Sequence, residues 1–145
     1  MVLDGKVALI TGASRGIGKA IAKNFSAQGA QIAIGARTST GYGNVLSDLP
    51  NDVSRAKGFL LDVTKSDQVK SAVEEVITEF GRIDILVNCA GIIINDTPTW
   101  QTTIQEWDEM MSVNLRGTFI CCREVSPHMV KRQNGVIINI GSSSG

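Results

Sequence analysis

The stretch from Val7 to Gly18, Val-Ala-Leu-Ile-Thr-Gly-Ala-Ser-Arg-Gly-Ile-Gly, constrains this chain more than any other, because it joins an apolar run to a helical pattern through three glycines. Val7 to Ile10 fits a strand covered on both faces, and Ile17, Ala20, Ile21 and Phe25 then recur at helical spacing. A helix N-terminus presents unpaired N–H groups and the positive end of its dipole, and glycine lets an anion approach the backbone with no Cβ in the way. The turn is therefore a seat for a phosphate. Its glycines, Gly12, Gly16 and Gly18, do not follow G-x-G-x-x-G, and the Gly-Lys-Ser/Thr of a P-loop is lacking. On its own the turn also fits a purely structural strand-to-helix joint.

Beyond it the periodicity alternates. Gly29 closes the first helix, Gln31 to Ala36 reads as a second strand, and Arg37 follows. From Thr38 to Pro50 the sequence is polar and turn-rich, with a short helix hinted at over Val45 to Leu49. Ala56 to Leu61 gives a third strand, ending in Asp62. Thr64 and Asp67 are spaced as a capping box before an amphipathic helix through Val69, Val73, Val76, Ile77 and Phe80, closed by Gly81. Ile83 to Val87 is a fourth strand. Thr103 and Glu106 form a second capping box, opening a helix through Trp107, Met110 and Met111 that runs on or breaks near Asn114. Leu115 to about Lys131 is helical, with a kink expected at Pro127 and an end at Gly135. Val136 to Ile140 is a fifth strand. The expected fold is α/β, a doubly wound parallel sheet with right-handed crossovers and helices on both faces, in a single domain over 1–145.

Composition narrows the function. Fourteen basic residues balance fourteen acidic ones, with no block of one sign, which points away from nucleic acid or an anionic membrane as partner. No segment reaches the roughly 18 uninterrupted apolar residues of a membrane span. The N-terminus lacks the pattern of a secretory signal, so a soluble, cytoplasmic protein is expected. Cys89, Cys121 and Cys122 are odd in number, lie in apolar segments and form no C-x-x-C, which fits small buried hydrophobes rather than a disulfide or a metal site; none is expected. His128, the sole histidine, has no acid or nucleophile near it in the pattern and reads as a surface residue. Trp100 and Trp107 read as packing residues.

Parallel α/β sheets bind ligands beyond the carboxyl ends of their strands. Thr11 to Gly18, Arg37, Asp62, Asn88 to Gly91 and Ser142 all fall at such ends. At these residues the chain resembles the short-chain dehydrogenases/reductases. Thr11 to Gly18 matches that family's T-G-x-x-x-G-x-G, Asp62 its adenine-contacting acid, and Asn88-Cys89-Ala90-Gly91 its N-N-A-G with cysteine at the second place. Asn114 resembles its catalytic-relay asparagine, and Ser142 its active-site serine.

The resemblance implies a Rossmann-type sheet and cofactor contacts from Thr11, Gly12, Ser14, Arg15, Gly16, Ile17, Gly18, Arg37, Asp62, Val63, Asn88, Ala90 and Gly91. It implies hydride transfer between a nicotinamide and a small-molecule carbonyl or secondary alcohol, with Ser142 orienting the substrate oxygen and Asn114 holding a water. It also implies a homo-oligomer, pairing through the helix from Leu115 to Lys131. The family's catalytic Tyr-x-x-x-Lys, on the helix after the serine strand, is not among these 145 residues, whose one tyrosine is Tyr42. The resemblance thus presents the chain as the C-terminally incomplete, cofactor-binding portion of such an enzyme, without the catalytic helix and the last strands.

Charge argues the cofactor. NAD-preferring folds keep an acid at the end of the second strand for the ribose 2′-OH, and an arginine there accommodates a 2′-phosphate. Here that place is Ala36, followed by Arg37, and Arg15 adds a second cation. NADP(H) is expected over NAD(H), although both arginines also fit solvated surface positions. Two other readings remain: a dinucleotide-binding module without catalysis, and another Rossmann-type enzyme such as a methyltransferase, which leaves Asn88, Asn114 and Ser142 unexplained.

Overall fold

The computed structural model describes residues 1–50, 55–93 and 97–142. Five parallel strands form one sheet in the order β3-β2-β1-β4-β5. They are β1 (Val7–Thr11), β2 (Gln31–Ala36), β3 (Ala56–Leu60), β4 (Ile85–Asn88) and β5 (Val136–Asn139). β1 lies at the centre, with Leu9 in register with Ala33 on one side and Leu86 on the other. The chain therefore steps outward from β1 in one direction for β2 and β3, then crosses back for β4 and β5. That reversal beside β1 opens the crevice in which doubly wound sheets hold ligands.

The two faces of the sheet follow the alternation of the strands. Val7 and Leu9 point to a core completed by α3 (Ser66–Phe80) and α5 (Thr118–Arg132) through Val69, Val73, Val76, Ile120 and Val125. Ala8 and Ile10 point to the opposite core, completed by Ala22 of α1 (Gly16–Ala27) and Val45 of α2 (Ser39–Leu46). Leu9, Ile10, Ile32, Ile34 and Leu86 are fully buried, each burial stabilising the fold by about 1.5–3 kcal/mol. β5, at the edge, keeps Val136, Ile137 and Ile138 exposed, as is Ile140 just past its end.

Local structure departs from the sequence pattern in four places. The polar stretch after Arg37 forms a helix earlier than the apolar residues suggest, because Thr38 caps it, its side chain accepting from the Gly41 N–H at 3.1 Å. Thr64 does not cap α3. Its hydroxyl and its N–H both donate to Asp62 Oδ1, and the helix starts from Lys65 without a side-chain cap. The other capping box is present: Thr103 and Glu106 bond reciprocally at the start of α4 (Ile104–Met111). α5 ends not at Gly135 but at Gln133, which takes the left-handed conformation at φ +52°. Between α4 and α5 the chain neither breaks nor continues regularly; Ser112–Gly117 is a π-helical segment.

Trp100 and Trp107 are exposed rather than packed. His128 is exposed, as expected, and Cys121 is buried while Cys89 and Cys122 are half-buried. No described helix is long and apolar enough to cross a membrane.

Candidate functional site

The glycine turn is held rigidly against two neighbouring strands. The Gly12 N–H donates to the Gly35 carbonyl on β2 at 3.1 Å. The Thr11 hydroxyl accepts from the N–H groups of Cys89 and Ala90, each at 3.2 Å, and points to the Val87 carbonyl at 3.4 Å. Gly12 and Gly16 take φ +66° and +55°, a region that excludes most side chains. A Cβ on Gly18 would meet the Gly12 carbonyl oxygen at 2.7 Å, so the first turn of α1 sits directly on the loop.

α1 starts from Arg15, which is extended and provides no side-chain cap. A helix left with uncapped N–H groups beside a glycine loop is a seat for an anion, and a dinucleotide pyrophosphate fits the residues present. Ser14 lies against α2, since a Cβ on Gly41 would stand 3.4 Å from the Ser14 Cβ. The glycine turn and the end of β2 are thereby neighbours. Arg15 and Arg37 are both exposed there, and among the described residues neither forms an ion pair.

At the end of β3, Asp62 is half-buried and Val63 buried. Asp62 Oδ1 takes two bonds from Thr64, the N–H at 3.0 Å and the hydroxyl at 2.7 Å, while the Asp62 N–H donates to Gln68 Oε1 at 3.1 Å. At the end of β4, Asn88 is buried and its Nδ2 donates to Asn139 Oδ1 on β5 at 2.9 Å and to the Cys122 sulfur at 3.3 Å. Asn88 Oδ1 is buried without a partner among the described residues. Asn88 is thus a cross-strand tie whose side chain stays below the crevice. Ala90 and Gly91 are half-buried and exposed, respectively.

Asn114 projects from the π-helical segment to the loop after β4. Its Nδ2 donates to the Ile92 carbonyl and its Oδ1 accepts from the Ile92 N–H, both at 2.9 Å. Ser142 lies two residues past Ile140, whose N–H bonds the Asn88 carbonyl, and so stands at the same end of the sheet. Ile17 is exposed at the mouth of the turn.

Burial keeps two of the thiols protonated. Burial pushes Cys89 up, opposed by the Gly18 N–H donated to its sulfur. Burial, with Cys122 beside it, pushes Cys121 up to about 12. Among the described residues no group of His, Cys, Asp and Glu could hold a metal ion. Thr38, Ile92, Arg116 and Gly117 shape this end of the sheet and were not singled out in the sequence; the first is legible as a cap, but the others act through contacts distant in sequence.

A parallel sheet reversing at β1, a glycine turn under an uncapped helix and polar residues at each later strand end define a doubly wound α/β protein with a ligand crevice at this end of its sheet. The short chain dehydrogenase family model matches residues 6–145, and the chain belongs to that family. It is 41% identical over 142 residues to D-threitol dehydrogenase of Mycolicibacterium smegmatis, covering 98% of this chain and 54% of that protein. It is 39% identical over 145 residues to 3-oxoacyl-(acyl-carrier-protein) reductase of Thermotoga maritima, covering 100% of this chain and 58% of the relative.

Among solved structures, 3-ketoacyl-(acyl-carrier-protein) reductase from Brucella melitensis complexed with NADH superposes with a TM-score of 0.89 at 37% identity, covering 97% of this chain and 58% of the other. A metagenomic short-chain oxidoreductase in complex with NADP gives 0.88 at 34% identity, covering 98% and 64%. The chain thus spans a little over half the length of these curated relatives. Its sheet is Rossmann-type, as its neighbours are.

Proposed function

We propose that this chain is the NADP(H)-binding portion of an oxidoreductase that transfers hydride between the nicotinamide and a carbonyl or secondary alcohol of a small molecule. The observation that carries the cofactor choice is the pair Arg15 and Arg37, both exposed and unpaired among the described residues, beside Ala36 where an NAD-preferring fold keeps an acid. The two guanidinium groups suit a 2′-phosphate, which each can bind bidentately.

In this reading Thr11, Gly12, Ser14, Arg15, Gly16, Ile17 and Gly18 receive the pyrophosphate, Asp62 and Val63 the adenine, and Asn88, Ala90 and Gly91 form the floor beneath the rest of the cofactor. The nicotinamide supplies or accepts the hydride when bound. Ser142 donates a hydrogen bond to the substrate oxygen and orients it where charge develops. Asn114 secures the loop at Ile92 and keeps the second lone pair of Oδ1 for a water. The 145 residues then act as one dinucleotide-binding domain, and the free thiols among the described residues suit the reducing conditions of a cytoplasm. Self-association in the complete enzyme is supported by the exposed Leu115 and Phe119, which line an apolar groove with Met111 and Arg116.

Titration of NADPH and NADH against the wild type and Arg37→Asp tests the assignment. NADPH should bind more tightly to the wild type, and the substitution should lower the preference by about tenfold or more, the worth of one charge-assisted contact. An unchanged preference overturns it. Reduction of a carbonyl by the complete protein, followed by loss of NADPH absorbance, tests the hydride transfer.

A further inference from the structure

The π-helical segment Ser112–Gly117 touches both loops that flank the crevice, and only one of these contacts has a counterpart in the sequence motifs. Asn114 holds the loop after β4 at Ile92. On the other side, Arg116 Nη1 donates to the Thr64 carbonyl at 3.1 Å, and Gly117, which is buried, lies flat against Val63. A Cβ on Gly117 would stand 2.6 Å from Val63 Cγ2 and 2.9 Å from Val63 Cβ.

Thr64 is the residue whose N–H and hydroxyl both bond Asp62 Oδ1, and the Lys65 N–H in turn donates to the Asp62 carbonyl at 3.0 Å. A path of direct contacts therefore runs from the π-helical segment through Val63 and Thr64 to the Asp62 carboxylate. In a regular α-helix residues 114 and 117 share a face and residue 116 points away from it. The wider π turn alters that spacing, and such turns recur at functional sites.

We infer that Arg116 and Gly117 are positioning residues for the adenosine end of the nucleotide: they set how far the loop 62–64 stands from the sheet, and so where the Asp62 carboxylate meets the ligand. The inference rests on the dinucleotide reading of the crevice. It makes the segment a brace between the two halves of the site, Asn114 holding one loop and its neighbours the other.

The test uses this chain with Arg116→Met, Arg116→Lys and Gly117→Ala. Adenosine 2′,5′-bisphosphate is the binding probe, and amide hydrogen exchange over residues 61–65 reports the loop without any ligand. Gly117→Ala should weaken the probe about tenfold, since overpacking of this size displaces the neighbour. Arg116→Met should weaken it several-fold and Arg116→Lys, which keeps a donor, should recover most of the loss. Exchange should quicken at Thr64 and Lys65 in the weakened variants and stay unchanged in the strands.

A purely structural role would instead lower thermal stability alike in Met and Lys variants and raise exchange throughout. That result, or unaltered exchange at 61–65 in both Gly117→Ala and Arg116→Met, overturns the inference. Should Gly117→Ala fail to fold, the exposed Arg116 pair decides alone. If the wild type binds neither the probe nor NADPH, the dinucleotide reading falls, while the exchange result still decides whether the segment holds the loop.

Discussion

Gly12 passes so close to Ala90 that a Cβ on Gly12 would stand 2.6 Å from the Ala90 Cα and 2.7 Å from its nitrogen. The contact joins the turn after β1 to the loop after β4, the two walls of the crevice. At φ +66° a side chain is also strained by the backbone itself. Gly12→Ala should therefore cost about 2–5 kcal/mol of stability, the sum of left-handed strain and overpacking. Urea unfolding followed by circular dichroism measures it, and a loss below half of that range would show that the loops yield easily.

Thr11, at 1% exposure, satisfies the N–H groups of Cys89 and Ala90 with one hydroxyl. Thr11→Val keeps the shape and removes the acceptor, leaving two half-buried donors without it, at up to about 1–3 kcal/mol each. Thr11→Ser keeps the hydroxyl and loses only a methyl group, which costs about 1 kcal/mol. The serine variant should thus unfold at a higher urea concentration than the valine variant. The reverse order would mean that packing, not the hydrogen bonds, holds the turn.

The strands and the glycine turn were legible because their signals are local. Val7 to Ile10 is apolar on both faces, and β1 is buried along its whole length. Gln31 to Ala36 matches β2 residue for residue. Thr103 and Glu106 needed only each other. Thr64 misled because its hydroxyl had two partners within reach, and the Asp62 carboxylate, two residues back, won over the first turn of α3. The tryptophans misled because aromatic size says nothing about whether a partner surface lies within the chain. The bracing by Asn114, Arg116 and Gly117 spans 22, 52 and more residues of sequence, and no periodicity encodes such contacts.

Asp84 is the polar anchor at the opposite end of the sheet. Its carboxylate accepts from the Val7 N–H at 2.9 Å, Arg82 Nε at 3.0 Å and Arg132 Nη2 at 3.3 Å, and its side chain is 8% exposed. It ties β1, the entry to β4 and the end of α5 together. Asp84→Ala leaves the Arg132 guanidinium partly buried beside an unpaired backbone donor and should cost about 3 kcal/mol. Asp84→Asn, which retains an acceptor for Val7, should cost less. Equal losses in urea unfolding would show that the charge, rather than the acceptor, matters.

Cys121 gives the fold a dependence on alkaline pH. The side chain is 1% exposed, and burial, helped by Cys122, raises its thiol from 9.0 to about 12. The folded state thus holds the proton more tightly than the unfolded chain, so the stabilisation is complete below the unfolded value and is lost as pH rises from about 9 toward about 12. The thermal midpoint should fall across that range, and Cys121→Ala, although less stable for the cavity it leaves, should show a shallower fall. Iodoacetamide at pH 8 should modify the half-buried Cys89 and Cys122 before Cys121, which should react only in denaturant, because alkylation needs an accessible thiolate. Mass spectrometry of the labelled peptides checks the order, and native Cys121 reacting as fast as Cys89 would show that α5 opens from the sheet far more readily than its packing implies.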